Sequence, residues 1–362
     1  ALLMKRIFGR RKDTPRTTSL FLEREDTPLM KAVHEKNVDK VKSLLDSSNV
    51  DPNLPEGHEK DVPIIAAAYL GSADIVELLV NHKKVDVNKK NNEQCTALYY
   101  ACVRKFPEVV KVLLSHSDID VNLPCGTLNS TPLYACIYLG SNECAKVLLN
   151  DNRVNINLKT EGKSPFYAAI SGRKHDIIVC MFDNFKDKID FEASNPLDAL
   201  ADSGYFPEEN DTIELLEKIL DLNFDINAKL EKHTNFLTFI CKQGNSKALQ
   251  MLLDDKRLTY PKLGGKKGLL SEIATNSRHN AEKRTREIVK ILCADEKGET
   301  EEMIEWFKND IPENCSHVYK VNIGLGICES RGISPGEFIE DDKVLEDIMK
   351  LADFSNRKAK KP

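Results

Sequence analysis

Apolar residues along this chain follow a compound rhythm. A short, almost continuous apolar block is broken by a glycine or a basic residue. A second block follows with apolar positions three and four apart. Two long copies make the rhythm visible, "AAAYLGSADIVELL" around Tyr69–Ser72 and "ACIYLGSNECAKVLL" around Tyr138–Ser141. Their glycines are 69 residues apart, which suggests two periods of about 34–35 residues. The intermediate copy is "TALYYACVRKFPEVVKVLL" at Thr96–Leu114. Further copies run from Thr27 to Leu45, Val62 to Val80, Thr131 to Leu149 and Ser164 to Phe182, with weaker ones at Asn195–Leu220 and Asn235–Leu253.

The pattern predicts two short helices per unit. Thr or Ser before Pro starts the first, because the hydroxyl caps free N–H groups and Pro suits the first helical position. Leu and Ala at the third, sixth and seventh positions give a small-residue face, and glycine at the tenth position ends the helix. The "IVxLL" block predicts an amphipathic second helix. Asp/Asn-x-Asn triplets at 51–53, 86–88, 120–122, 155–157 and 225–227 lead into an extended turn. One such unit cannot bury its own apolar face, so the units must stack.

These units resemble ankyrin repeats, with the T-P-L start, the tenth-position glycine, the V-V-x-L-L helix and the D-V-N turn. The fourth-position histidine of that family is missing, and Tyr99, Tyr134 and Tyr167 replace it in three consecutive units. The resemblance implies an all-α class: an ankyrin-repeat α-solenoid of helix-turn-helix units with β-turn or hairpin tips and an irregular helical C-terminal cap. It spans residues 26–253 and then fades. "LLSEIATNSRHNAEKRTREIVKILC" at Leu269–Cys293 reads as an eighth unit with an insertion. Residues 323–352 read as a ninth, with Leu325, Cys328 and Gly332 in register, and "TEEMIEWFKNDI" reads as a separate acidic helix. The expected organisation is a basic tail (1–25), the array (26–294), a degenerate repeat or helical cap (295–354) and a second basic tail (355–362). A small independent domain is the alternative for the cap.

Charge and composition narrow the functional classes. Net charge is −5, but residues 1–25 carry seven basic and three acidic side chains and "RKAKKP" ends the chain, leaving about −13 on residues 26–355. That balance argues against sequence-blind nucleic-acid binding. The basic ends are expected to be solvated tails, with nuclear signals or acidic-surface contacts as the alternative. The ten cysteines form no CxxC and no zinc-spaced set, and read as reduced, buried residues of an intracellular protein. No apolar run approaches the roughly 18 residues of a membrane span, and the first residues lack a long apolar signal core. No metal site or cofactor is expected, and no catalytic set is found. "GGKKG" at 264–268 lacks the phosphate-loop spacing, "GLG" at 324–326 lacks a third glycine, and Cys315 near His317 in sequence does not make a catalytic pair.

The expected function is therefore non-catalytic protein–protein binding as a scaffold or adaptor, by a cytoplasmic chain that is monomeric in isolation. In the resembled family, partner contacts come from turn tips and from the concave face of the first helices, including the eighth and ninth positions. These are apolar, aromatic or basic in units two to four: Tyr69, Leu70, Val103, Arg104, Tyr138 and Leu139. Tyr and Arg dominate binding hot spots; packing on a neighbouring unit is the competing reading. The resemblance also implies candidate hydroxylation of Asn53, Asn122 and Asn157, each eight residues after a leucine. A second functional class stays open: a microbial effector secreted into host cytoplasm, with repeats that target a host protein and a separate activity in residues 295–362. Lys outnumbers Arg 38 to 14, which fits an AT-rich coding genome.

Overall fold

The computed structural model describes residues 26–47, 49–57, 59–191, 195–203, 210–222, 224–231, 235–259, 269, 282–294, 304, 307–309, 315, 317–332, 334–337, 339 and 341–349. The expectations for the basic ends, for "GGKKG" and for most of the acidic helix lie outside these residues. The chain divides into two compact bodies, 1–194 and 195–362.

The first body is built from helix pairs. They are α1 (Pro28–His34) with α2 (Val38–Leu45), α3 (Pro63–Leu70) with α4 (Ala73–Val80), α5 (Ala97–Arg104) with α6 (Pro107–Leu114), α7 (Pro132–Leu139) with α8 (Asn142–Leu149), and α9 (Pro165–Ser171) with α10 (His175–Phe185). Odd-numbered helices stack on one another as an inner row and even-numbered helices as an outer row. Among the described residues there is no strand. Single antiparallel bridges, Glu56 to Asp61, Cys125 to Ser130 and Thr160 to Lys163, make the hairpin tips.

The sequence signals act as expected at each end of the inner helices. The hydroxyls of Thr27, Thr96, Thr131 and Ser164 accept from backbone N–H groups three residues on, at 3.1–3.3 Å. Each such cap is worth about 1 kcal/mol. Val62, with no side-chain acceptor, leaves α3 uncapped. At the other end a left-handed residue closes a Schellman turn in every unit. The bonds run from Asn37 N to Ala32 O, Ser72 N to Ala67 O, Phe106 N to Ala101 O, Ser141 N to Cys136 O and Lys174 N to Ala169 O, at 2.7–3.1 Å. Ala67, Ala68, Ala101, Cys102, Cys136 and Ala169 are fully buried between the rows.

The turn asparagines tie unit to unit. Asn53 donates from Nδ2 to Lys84 O at 2.6 Å, and its Oδ1 accepts from Asp86 N at 2.7 Å. Asn88 repeats this on Asp118 and Asp120, Asn122 on Arg153 and Asn155, and Asn157 on Lys188 and Asp190. Within each triplet the first Asp or Asn accepts from the asparagine's own N–H at 2.9–3.0 Å. Arg153 adds a clasp that sequence reading missed. Its guanidinium reaches Leu114 O and His116 O at the end of α6, and it pairs with Asp151 at 2.6 Å. The hydrogen bonds from Arg153 hold the Asp151 carboxyl below its usual range. The signal was a D-x-R triplet, and it recurs at Asp255 and Arg257.

Stacking also corrects the cysteine reading. Cys95 and Cys125 occupy neighbouring hairpins, with Cα atoms 4.4 Å apart, and form a disulfide. They are 30 residues apart in sequence, so no local motif reveals the pair; only the superposition of units does. Cys102, Cys136, Cys144, Cys241, Cys315 and Cys328 are buried thiols that form no disulfide, as expected.

The second body contains α11 (Pro196–Asp202), α12 (Asn210–Leu220), α13 (Phe236–Gln243), α14 (Ser246–Asp254), α15 (Glu282–Ala294) and α16 (His317–Arg331). Helix α11 packs on α13, α12 on α14, α14 on α15 and α15 on α16. Asn227 bridges Arg257 O and Thr259 N as its counterparts do. The "GLG" stretch lies inside α16, where a Cβ on Gly326 would meet Arg286 O and Val289 at 2.8 Å. These glycines allow helices to touch. Burial pushes the Cys315 thiol up to about 11, away from thiolate chemistry. Among the described residues no helix is long and apolar enough to cross a membrane.

Two outcomes test this packing. Gly71 has φ of +73° and a Cβ there would meet the Phe106 ring at 2.7 Å. Gly71→Ala will cost about 2–4 kcal/mol in urea unfolding, from left-handed strain plus overpacking, and Phe106→Leu in the same chain will recover part of it. Reducing the Cys95–Cys125 bond, which closes a loop of 30 residues, will lower stability by up to about 3–4 kcal/mol by chain-entropy arithmetic. Unfolding with and without dithiothreitol, against Cys95→Ser/Cys125→Ser as the reference, measures it.

Candidate protein-binding face

The C-terminal ends of the inner helices carry the residues singled out by sequence. Tyr69 is half-buried and held on two sides. The Arg104 guanidinium carbon lies 4.5 Å from its ring centroid, and the Tyr100 ring meets it edge-on at 5.7 Å. Tyr100 is itself fixed beneath the surface: its hydroxyl donates to Glu93 and accepts from Asn91 Nδ2 at 3.0 Å, while the same Nδ2 donates to Asp61 at 2.7 Å. Asn91 is 3% exposed, so this polar junction between units two and three is satisfied internally.

Tyr138 is 48% exposed. Its ring stacks on Tyr134 one helical turn earlier, centroids 6.0 Å apart and planes 13° apart. Leu70 and Leu139 are half-buried beside their tyrosines, and Arg104 is exposed. Val103 departs from expectation. At 4% exposure it faces the interior and offers a partner no surface. Position eight turns outward in units two and four but inward in unit three, where position nine, Arg104, takes the outer place.

The tyrosines that replace the family histidine have an architectural role. Tyr99 is fully buried and packs edge-on to Tyr100 at 6.4 Å. Burial pushes its phenol up to about 12, partly opposed by Ser130. Tyr134 is the platform for Tyr138, and Lys163 lies over the Tyr167 ring at 4.5 Å. Sequence reading missed Tyr100, Asn91 and Glu93 as supports of the face; the doubled Tyr99–Tyr100 was the available signal. The side-chain amides of Asn53, Asn122 and Asn157 are engaged in the bridges between units.

Comparison with known proteins agrees with the repeat fold. A model of three ankyrin repeats matches residues 29–125, and a single ankyrin-repeat model matches residues 129–161. Residues 29–161 are ankyrin repeats. The same capped helices and asparagine bridges continue the ankyrin pattern into unit five. The human transient receptor potential cation channel subfamily A member 1 is 26% identical over 169 residues, 44% of this chain and 15% of that protein. Alpha-latrocrustotoxin-Lt1a of Latrodectus tredecimguttatus is 38% identical over 77 residues, 21% of this chain and 5% of that protein. The chain thus spans a small fraction of either relative. Among solved structures, the ankyrin repeat domain of Bcl-3 superimposes with a TM-score of 0.50 at 18% identity, over 63% of this chain and 98% of that one. The human ASB11 ankyrin repeat domain gives 0.45 at 20%, over 59% and 90%. The Bcl-3 likeness bears on the fold.

The Arg104–Tyr69 contact is measurable. A double-mutant cycle of Arg104→Ala with Tyr69→Leu will return a coupling of about 0.5–1 kcal/mol in chemical unfolding, the size of an exposed cation–π contact. A coupling near zero would mean that the two side chains do not hold one another.

Proposed function

We propose that this chain is a protein-binding scaffold whose partner docks on the inner-helix face of units two to four. Ankyrin repeats are protein-interaction modules, and that much follows from residues 29–161. The choice of face rests on one observation: Tyr138 stands 48% exposed on Tyr134 in unit four, and Tyr69, at the same position of unit two, is braced by Arg104. The large apolar side chains that stand exposed among the described residues are Val38, Leu54, Tyr138 and Met349. Tyr138 is the one on the inner row.

Ordered aromatic side chains on a rigid stack lose little freedom on binding, which raises affinity without added area. Leu70 and Leu139 supply apolar contact, and Arg104 a planar set of donors. Each is set on a helix end closed by a Schellman turn, so its position is fixed by backbone packing.

The test is affinity purification with mass spectrometry from one lysate, comparing the intact chain with Tyr69→Ser/Leu70→Ser/Tyr138→Ser/Leu139→Ser. Circular dichroism must show equal helicity. Partners enriched at least tenfold on the intact chain and lost on the variant support the reading. Unchanged partners on a folded variant place binding elsewhere.

A further inference from the structure

The left-handed residue that ends each inner helix follows a pattern that folding alone does not require. In units two and four it is glycine, Gly71 at φ +73° and Gly140 at φ +70°. In units one, three and five it is Lys36 at +54°, Lys105 at +66° and Arg173 at +52°. A side chain in this conformation costs roughly 1–2 kcal/mol relative to the right-handed one, and glycine escapes that cost. The backbone is closed equally well by glycine in the neighbouring units. Yet wherever glycine is absent from the first body, a cation stands in its place.

Attraction to the helix C-terminus accounts for part of this, a few tenths of a kcal/mol to about 1 kcal/mol at an exposed site. It does not account for where the cations reach. Lys36 Nζ donates to Leu70 O at 3.0 Å, in the next unit. Arg104 lies over Tyr69. A Cβ on Gly140 would meet Lys174 Nζ at 3.2 Å, so that ammonium sits above the second Tyr-Leu-Gly. The first Tyr-Leu-Gly stretch thus carries Lys36 and Arg104 from the units on either side, and the second carries Lys174 from unit five. Positions eight to eleven of the five units hold five basic residues and one acidic residue, Glu35, in a chain of net charge −5. Over positions eight to eleven the sign is opposite to the molecule's, with tyrosines and leucines between the cations, and an acidic residue follows at position thirteen of each unit: Asp39, Asp74, Glu108, Glu143 and Asp176.

We propose that the two Tyr-Leu-Gly stretches and the cations around them form one docking face for an acidic protein segment that carries an apolar anchor. This rests on the binding reading above and specifies its partner chemistry. Carboxylates pair with Lys36, Lys105, Arg173 and Lys174, and the apolar anchor lies against Tyr138 and Leu139. Complementary charge of this kind speeds encounter and excludes wrong partners, while the buried anchor sets the dissociation rate. A nucleic acid satisfies the cations but gives Leu70 and Leu139 nothing to bury.

The experiment selects a random 15-residue peptide library on the full chain and counter-selects on Leu70→Ser/Tyr138→Ser/Leu139→Ser. Enriched peptides are then titrated by fluorescence anisotropy at low and high salt. A second variant, Lys36→Gly/Lys105→Gly/Arg173→Gly, removes three charges while giving the backbone the residue its conformation prefers, so it stays folded. The expected result is a set of acidic peptides sharing an apolar residue, bound at least tenfold more weakly by the glycine variant and with reduced salt dependence. Face-dependent peptides that are neutral or basic, or whose affinity the glycine variant leaves unchanged, overturn this inference and leave the binding face standing. An absence of face-dependent peptides overturns both. Tighter binding of a fluorescein-labelled single-stranded oligonucleotide than of any selected peptide overturns the protein partner.

Discussion

Everything in the first body depends on one bridge: an asparagine amide that bonds two backbone atoms, two residues apart, in the next unit. The donor and the acceptor of one side chain are both used, so the next turn can sit at one height and one angle only. The preceding Asp or Asn accepts the asparagine's own N–H and holds the loop rigid. Apolar faces supply the drive to stack, but they are non-directional. Alanine against alanine tolerates sliding, and a bridge with two fixed partners does not. Hydrophobic burial thus brings the helix pairs together, and the amide bridges select their register.

Register in turn decides which side chains can meet. Arg104 reaches Tyr69, and Lys36 reaches Leu70 O, because unit ends are placed side by side at a constant offset. The same offset brings Cys95 to Cys125. The tyrosines in place of the family histidine exploit it further. A ring at the fourth position is long enough to serve as a floor for a second ring one turn on, as Tyr134 does for Tyr138. The face is therefore aromatic because the interior beneath it is aromatic.

Much of this was legible in the sequence, and what was not has a common cause. Helix starts at Thr27, Thr96, Thr131 and Ser164, glycine ends at Gly71 and Gly140, and the stacked class followed from local chemistry, while Tyr69, Leu70, Arg104, Tyr138 and Leu139 followed from the ankyrin resemblance and are exposed or half-buried. Val103, read the same way, is buried instead: the recurring pattern alone does not say which of two adjacent positions turns outward. The disulfide and the Arg153 clasp were hidden because each links atoms from consecutive units. A repeat written along the chain shows what recurs in each unit; it does not show which recurring atoms come into contact once the units are superimposed.

The alternation at the left-handed position extends this logic to the proposed docking face. A repeat array can change any residue that is not needed by the bridge, the cap or the small-residue face. Position ten is constrained by the Schellman turn, which favours glycine, so it is a poor place to vary for solubility alone. Lys36, Lys105 and Arg173 nevertheless occupy it, and each accepts the strain of a left-handed side chain. Lys60, Gln94, Asn129 and Glu161 share the conformation in the hairpin loops, and strained positions persist where the surrounding structure over-determines them. Here the surroundings are the two Tyr-Leu-Gly stretches. Glycine in units two and four leaves room for Phe106 and Lys174 to approach, while cations in units one, three and five border that space with charge. One constraint of backbone geometry, met in two different ways, would shape both the apolar strip and the basic rim of the proposed docking face.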